Sequence, residues 1–229
     1  MSELAVTPRT KLKRLHQRGS FDRDAVNAIL DEGFLCHIGF VHAGKACVIP
    51  TVYARAGDGV ILHGATSNRA LRSLREPGND ACISVTHVDA LVMARSAFHH
   101  SVNYRSVILY GQAEEVTDAT EKLESLRALI EHIAPGRWKD VRGPNLEEFQ
   151  RTLVLRVPIS EGSAKIRDLP VIDDAEDLQI GCWAGLIPLE NRFGPPIRDE
   201  KLAADVALPA YLDGYARAKR RVSPDGVAR

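Results

Sequence analysis

FLCHIGFVHAGKACVIPTVYARAGDGVILHG, residues 34–64, decides the fold class. Phe34 to Val41 and Ala46 to Ala54 read as two strands on either side of Ala43-Gly44-Lys45, a hairpin signal. Gly57-Asp58-Gly59 is the next turn and Val60 to Gly64 the next strand. Upstream, Asp22 caps a helix through Glu32, with Ala25, Val26, Ile29 and Leu30 on one face and Gly33 as its stop. Downstream, a helix from about Asn68 to Arg75 ends near Pro77-Gly78. Ala81 to Val88 and Leu91 to Ala94 read as strands, and Val102 to Val116 as the longest strand, bent at Gly111. Asp118 caps a helix to about Ile133, Leu146 to Arg151 is a short helix, and Thr152 to Ile159 and Gly162 to Asp168 are the last strands. Strands in a run, with helices inserted instead of alternating, exclude a doubly wound sheet. The pattern predicts a mainly β fold, an antiparallel barrel with peripheral helices.

The organisation read from this pattern is a lead-in over residues 1–21, extended or mobile, a barrel domain over 22–189, and a tail over 190–229. Proline and acidic residues make the tail meander, with Pro209 to Arg220 as a terminal helix. A length of 229 residues suffices for one core with an appendage. Lys+Arg and Asp+Glu both number 30, so the balance argues against a general nucleic-acid binder, although a local basic pocket is compatible with it. Cys36, Cys47, Cys82 and Cys182 lie in apolar runs without C-x-x-C spacing, as reduced core thiols do. The polar N-terminus lacks an apolar signal core, and no apolar run reaches bilayer-spanning length, so a cytoplasmic location is expected.

Several stretches carry chemistry. His63-Gly-Ala-Thr-Ser-Asn-Arg69 joins a strand to a helix through small and hydroxyl-bearing residues. Backbone N–H groups, the helix dipole, Ser67, Asn68 and Arg69 suit a phosphate there, and the same residues also suit a plain helix cap. The corner has neither the P-loop nor the dinucleotide glycine pattern. Pro50 removes a donor from its strand, so the backbone at Thr51, Val52 and Tyr53 is open either to a flat heterocycle or to solvent at a protected edge. Ala94 to Ser106 is dense in polar side chains that need a ligand, solvent or a partner subunit. Its His99-His100 pair would point to opposite faces of a strand, so no metal site is expected. Lys165 and Arg167 share a strand face, as a basic wall for an anion or as a solvated surface. Trp183, in an apolar island of the tail, anchors that tail onto the barrel or onto a second subunit, or covers a flavin. No triad order, H-E-x-x-H or paired-carboxylate signature points to hydrolysis.

Together these blocks resemble the pyridoxamine 5′-phosphate oxidase-related FMN-binding split barrels, in their nitroimidazole-resistance-like branch. The blocks that carry the resemblance are Val48–Tyr53, Leu62–Arg69, Asp89–Ser96, Phe98–Ser106, Ser163–Arg167 and Trp183–Pro188, across about Leu15 to Leu189. The resemblance implies a six-stranded antiparallel split barrel and a homodimer with FMN at the subunit interface. It implies Pro50, Thr51, Val52 and Tyr53 along the isoalloxazine, and His63, Ser67, Asn68 and Arg69 around the phosphate. Ser101, Asn103, Tyr104 and Arg105 would complete the pocket from the same or the partner chain, with Lys165 and Trp183 as looser members. Two positions depart from the pattern: Asn68 stands where serine is usual, and Ala90 where glycine is common.

The implied activity is a flavin-dependent oxidoreduction of a small molecule, pyridoxamine 5′-phosphate oxidase-like or nitroreductase-like. The flavin would supply the redox chemistry and the protein its orientation and electrostatics. The catalytic acid or base is not assigned; Tyr53, His100 and Tyr104 have the chemistry for proton donation. Three alternatives stand beside this reading: a haem-binding or haem-degrading split barrel, with His63, His99 and His100 as the reason; a non-enzymatic flavin-binding or regulatory protein; and a structural dimer without ligand.

Overall fold

The computed structural model describes residues 2–12 and 15–217. Its elements, in chain order, are β1 (Gly19–Ser20), α1 (Arg23–Glu32), β2 (Leu35–His42), β3 (Lys45–Ala56), β4 (Gly59–Ala65), α2 (Arg69–Leu74), β5 (Ala81–Met93), β6 (Ser101–Gly111), β7 (Glu114–Glu115), α3 (Ala119–Ile133), α4 (Leu146–Arg151), β8 (Thr152–Pro158), β9 (Glu161–Arg167) and β10 (Gly185–Pro188). The predicted mainly β, antiparallel architecture is present. The expected six-stranded barrel is corrected: one sheet of ten strands runs β1-β9-β6-β5-β2-β3-β4-β8-β7, with β10 added to β5, and it does not close.

Tight turns set this topology. Ala43 and Gly44 have φ of 49° and 72°, the paired positive values that match a two-residue turn to the twist of β2 and β3. Ile29, Leu30, Ile38, Leu62, Ile83 and Leu109 are among the fully buried side chains of the main core. Each contributes roughly 1.5–3 kcal/mol by leaving water. α1 seals this core with Ala25, Val26, Ile29 and Leu30, its N-terminus capped by the Asp22 carboxylate on the Asp24 N–H. α3 covers the other face of β3, β4 and β8 through a second cluster of Ala54, Ile61, Val116, Leu129 and Val154.

The sheet opens in two places. β2 pairs with β5 only through Cys82–Ser84, and β10 takes the same edge of β5 through Ala90–Met93. β3 pairs with β2 from Lys45 to Val52 but with β4 only from Tyr53 to Ala56. Beyond the Tyr53–Leu62 pair, β3 and β4 part, and β4 continues beside β8 alone.

Other expectations are corrected. Residues 81–93 form one strand, the longest, with a bulge between Val88 and Ala90; Asp89 is the extra residue that reads as a gap. The strand expected over Val102–Val116 stops at Gly111 and resumes as β7. The lead-in is docked: Leu4 is buried, its N–H bonds Phe21 O at 2.8 Å, and Arg9 reaches Asp80 at 2.7 Å. The strand expected to be last, ending near Asp168, is followed by one more, β10. Of the helix expected over Pro209–Arg220, the described part to Arg217 is a turn over residues 210–214 with irregular chain on either side, and the remainder lies outside the described residues. Among the described residues no helix is long and apolar enough to cross a membrane.

Candidate functional site

The second opening brings two of the sequence-predicted blocks to one gap. Tyr53 N–H bonds Phe34 O on the β2 side at 3.1 Å. Alternation along the strand therefore turns the Val52 N–H and the Pro50 position toward the side that β4 has left. Proline at this edge leaves one fewer unpaired donor, and Val52 keeps one. Across the gap stand His63, Gly64 and Ala65, then α2. A Cβ on Gly64 would lie 2.9 Å from Leu71 Cδ1 and 3.2 Å from Asn68 Nδ2, so glycine lets the helix fold back onto its strand.

At the corner Asn68 is the helix cap: its Oδ1 accepts from the N–H groups of Ala70 at 2.9 Å and Leu71 at 3.2 Å. Asn68 N–H bonds Ala65 O, and Thr66 N–H bonds Arg151 O. Several backbone donors are thus engaged within the chain. The side chains supply the remaining capacity. Ser67 and Arg69 are exposed, and Arg69 and Arg72, one turn apart, have no acidic partner among the described residues; Arg75 pairs with Glu115 instead. His63 keeps an exposed edge, and partial loss of water around its ring holds its pKa below the ordinary histidine value.

The structure gives Tyr53 a different part from proton donor. Its ring is fully buried and its hydroxyl donates to Leu30 O at 2.6 Å. Burial raises the phenol pKa well beyond its usual value. Burial likewise pushes the Cys36 thiol up to about 12, in keeping with an inert core cysteine.

Ser101, Asn103, Tyr104 and Arg105 lie on β6, separated from β3 by β5 and β2, so one chain does not bring them to the corner. Asn103 and Arg105 face inward. Asn103 Nδ2 donates to Leu169 O at 3.0 Å, and its Oδ1 accepts from Arg167. Arg105 is engaged by two carboxylates: Glu32 at 2.5 and 2.9 Å and Asp89 at 2.8 and 2.9 Å. Trp183 is two-thirds exposed, with its ring lying over Gly185 of β10.

The sequence reading missed the first opening. A cleft of about 280 Å³ lies between β2, β5 and β10. Glu32, His87, Asp89 and Arg105 form its polar floor, and Phe34, Phe193 and Arg217 its rim. Arg217 donates to Glu32 O at 2.9 Å, Asp31 O at 2.8 Å and Gly33 O at 3.1 Å, which ties the tail to the carbonyl end of α1. The sequence signal for it was Asp89, an acidic residue between apolar neighbours.

His99 ends a turn and His100 follows it, before β6 begins, so the opposite-faces reasoning does not apply to them. His99 Nε2 lies 3.1 Å from Asp174, and ligand atoms of His99, Asp174 and Asp177 lie within 4.8 Å of one another. Exposed acidic groups of this kind are common without a metal.

Comparison with known proteins adds a lineage. The sequence profile of a family described as pyridoxamine 5′-phosphate oxidase matches residues 22–166. The flavocytochrome Anf3 from Azotobacter vinelandii is 37% identical, with a TM-score of 0.85 over 90% of this chain and 95% of its own. An FAD and heme binding protein from Mycobacterium smegmatis is 34% identical, with a TM-score of 0.82 over 86% of this chain and 98% of its own. A Bacteroides thetaiotaomicron protein provisionally assigned to 5-nitroimidazole antibiotic resistance shares the fold, at 21% identity and a TM-score of 0.54 over 63% of this chain and 84% of its own. No curated protein matches.

Proposed function

Because the chain belongs to the pyridoxamine 5′-phosphate oxidase family, we propose that it is a flavin-dependent oxidoreductase acting on a small molecule. The observation that carries this reading is the parting of β3 and β4 beyond Tyr53 and Leu62, which leaves a strand edge and a basic corner on one gap. The flavin, FMN in this reading, supplies hydride transfer when bound. Val52 N–H and the backbone around Thr51 would address its ring edge. Ser67, Arg69 and Arg72 would hold its phosphate end, where a charge-assisted contact is stronger than a neutral one. Asn68 keeps α2 in place by capping it, a structural part within the site. FAD has the same ring and first phosphate, and the relative described as binding FAD makes it the competing flavin.

Dimerisation completes the proposal. The outer face of β2, β3, β5 and β6 presents Val41, Val48, Pro50, Ser84 and Ile108, and over residues 35–41, 46–52, 82–93 and 102–110 its outward positions include no Asp, Glu, Lys or Arg. A broad uncharged face of this kind suits a second copy of the chain. Pairing there would bring Ser101 and Tyr104 of one subunit toward the gap of the other. Tyr104 and His100 remain the proton-donor candidates, since neither is fully buried.

A second reading has its own support: two relatives over nearly the full chain are described as a flavocytochrome and as an FAD and heme binding protein. In that reading this chain holds haem beside its flavin. The visible spectrum and mass of the co-purifying cofactors test both readings. A two-band flavin trace with FMN mass supports the first, an added Soret band the second, and a colourless protein that flavins do not stabilise thermally refutes both.

A further inference from the structure

Arg217 closes the carbonyl ends of two helices at once. Its Nη2 donates to Asp31 O at 2.8 Å and Gly33 O at 3.1 Å, its Nε to Glu32 O at 2.9 Å, and its Nη1 to His132 O. Asp31 and Glu32 end α1, and His132 and Ile133 end α3. Helix ends leave carbonyls unsatisfied and carry partial negative charge, so one guanidinium serves both. It also lies over the Phe34 ring, 5.5 Å from the centroid. Phe34 meets Phe193 at 6.4 Å, and Phe193 meets Tyr215 edge-on at 4.8 Å. Tyr215 OH donates to Ile133 O. Two distant parts of the tail thus meet at the rim of the cleft between β2, β5 and β10, held there by one arginine. The stretch between them adds no hold of its own. Residues 194–208 are exposed, and among the described residues every hydrogen bond they make stays within that stretch. Beyond the rim contacts, the returning chain is fixed by Tyr211, whose hydroxyl bonds Asp140 at 2.5 Å.

A histidine stands inside this fastening. His132 Nε2 donates to Gly33 O at 2.7 Å, the same oxygen that Arg217 uses, and it lies 3.3 Å from Arg217 Nη2. That bond puts the hydrogen of the neutral ring on Nε2 and leaves Nδ1 to take the next proton. Around the ring, α1 supplies Asp31 and β3 supplies Arg55, joined to each other at 2.6 Å. β3 also supplies Tyr53, its ring 5.4 Å away and its hydroxyl donating to Leu30 O. On α3 itself, Glu131 is bonded to the N–H groups of Gly136 and Trp138. A protonated ring would therefore be a third cation, with Arg55 and Arg217, around one carboxylate, Asp31. Burial lowers the His132 pKa, with Arg217 and Arg55 adding to the effect and the Gly33 bond and Asp31 opposing it. By linkage, a proton on His132 and a docked Arg217 disfavour each other. We propose that Arg217 latches Phe193 and Tyr215 over the rim of this cleft and that a proton on His132 releases them.

The test is fluorine NMR of the full chain labelled with para-fluorophenylalanine and titrated from about pH 8 to about pH 5. Phe34→Leu and Phe193→Leu assign the two rim signals, and Phe40→Leu assigns that of Phe40, which is buried in the core. Arg217→Ala should show the released positions of the rim signals at every pH. Wild-type protein should hold the latched positions at the upper end and move to the released ones below the ordinary histidine value, with Phe40 unmoved. His132→Gln, whose amide can donate to Gly33 O but does not titrate, should stay latched throughout. Should that variant fail to fold, His132→Asn takes its place. Arg217→Ala that matches wild type at the upper end overturns the latch. Rim signals that stay latched in wild type at the lower end, or that move alike in the His132 variant, overturn the release. Movement of Phe40 together with the rim signals assigns the change to global unfolding and overturns it too.

Discussion

Arg105 and Arg167 are equally buried, each 4% exposed, on adjacent strands of one sheet. Arg105 faces inward and is engaged by Glu32 and Asp89 with bonds of 2.5–2.9 Å. Arg167 has an amide, one long carbonyl contact and a second arginine. The first region has spent its charges on holding α1 against β5 and β6. The second, like Arg69 and Arg72 at the corner, keeps charge that the chain itself does not neutralise. A buried or clustered cation therefore signals a ligand only when its counter-ion is missing, and burial alone does not tell the two cases apart.

The contrast can be broken experimentally. Arg105→Met should have the largest effect, because it takes a buried guanidinium away from the partly buried carboxylates of Glu32 and Asp89. A loss of roughly 3–5 kcal/mol is expected in urea or thermal unfolding. Wild-type stability in this variant would mean that the triad does not hold the cleft. Arg69→Ala should leave unfolding nearly unchanged but weaken FMN binding about ten- to a hundred-fold, roughly 1.5–3 kcal/mol. Calorimetric titration giving equal affinities would remove Arg69 from the site.

Arg167→Met, in protein without ligand, should shift stability by no more than about 1 kcal/mol in either direction, since the lost bonds offset the relief of an unpaired charge. A loss as large as that of Arg105→Met would place Arg167 among the structural residues. The smallest effect expected is a pH dependence. His132, bonded through Nε2 to Gly33 O, has its pKa lowered by burial, with the neighbouring Arg217 adding to the effect. The unfolded chain then binds the proton more readily than the folded one. Stability should fall as pH drops below the ordinary histidine value, and His132→Asn should flatten that slope. A slope identical in the variant would assign it to other groups.

Local signals in the sequence were strong where a single residue decides a local shape. Asp22, Asn68 and Asp118 cap their helices, Gly44 turns the first hairpin, and the alternation in residues 34–64 predicts antiparallel strands. Asp89 misled because a bulge residue reads as a break in periodicity. The lead-in misled because its order comes from distant partners such as Asp80, Phe21 and Glu161, which its own composition does not announce. At the corner, the residue types suggested both a cap and a phosphate site. In the structure Asn68 caps the helix, and Arg69 and Arg72 have no acidic partner among the described residues.

The sequence by itself determined the strand-and-helix pattern, the mainly β class and the residues able to meet a phosphate, because these follow from neighbours a few positions apart. Only the tertiary structure decided where the ladders stop, which arginines have carboxylate partners and which side of β3 is open. Those outcomes depend on residues as distant as Glu32 and Arg105, or Arg18 and Arg167, and the fold alone brings them together.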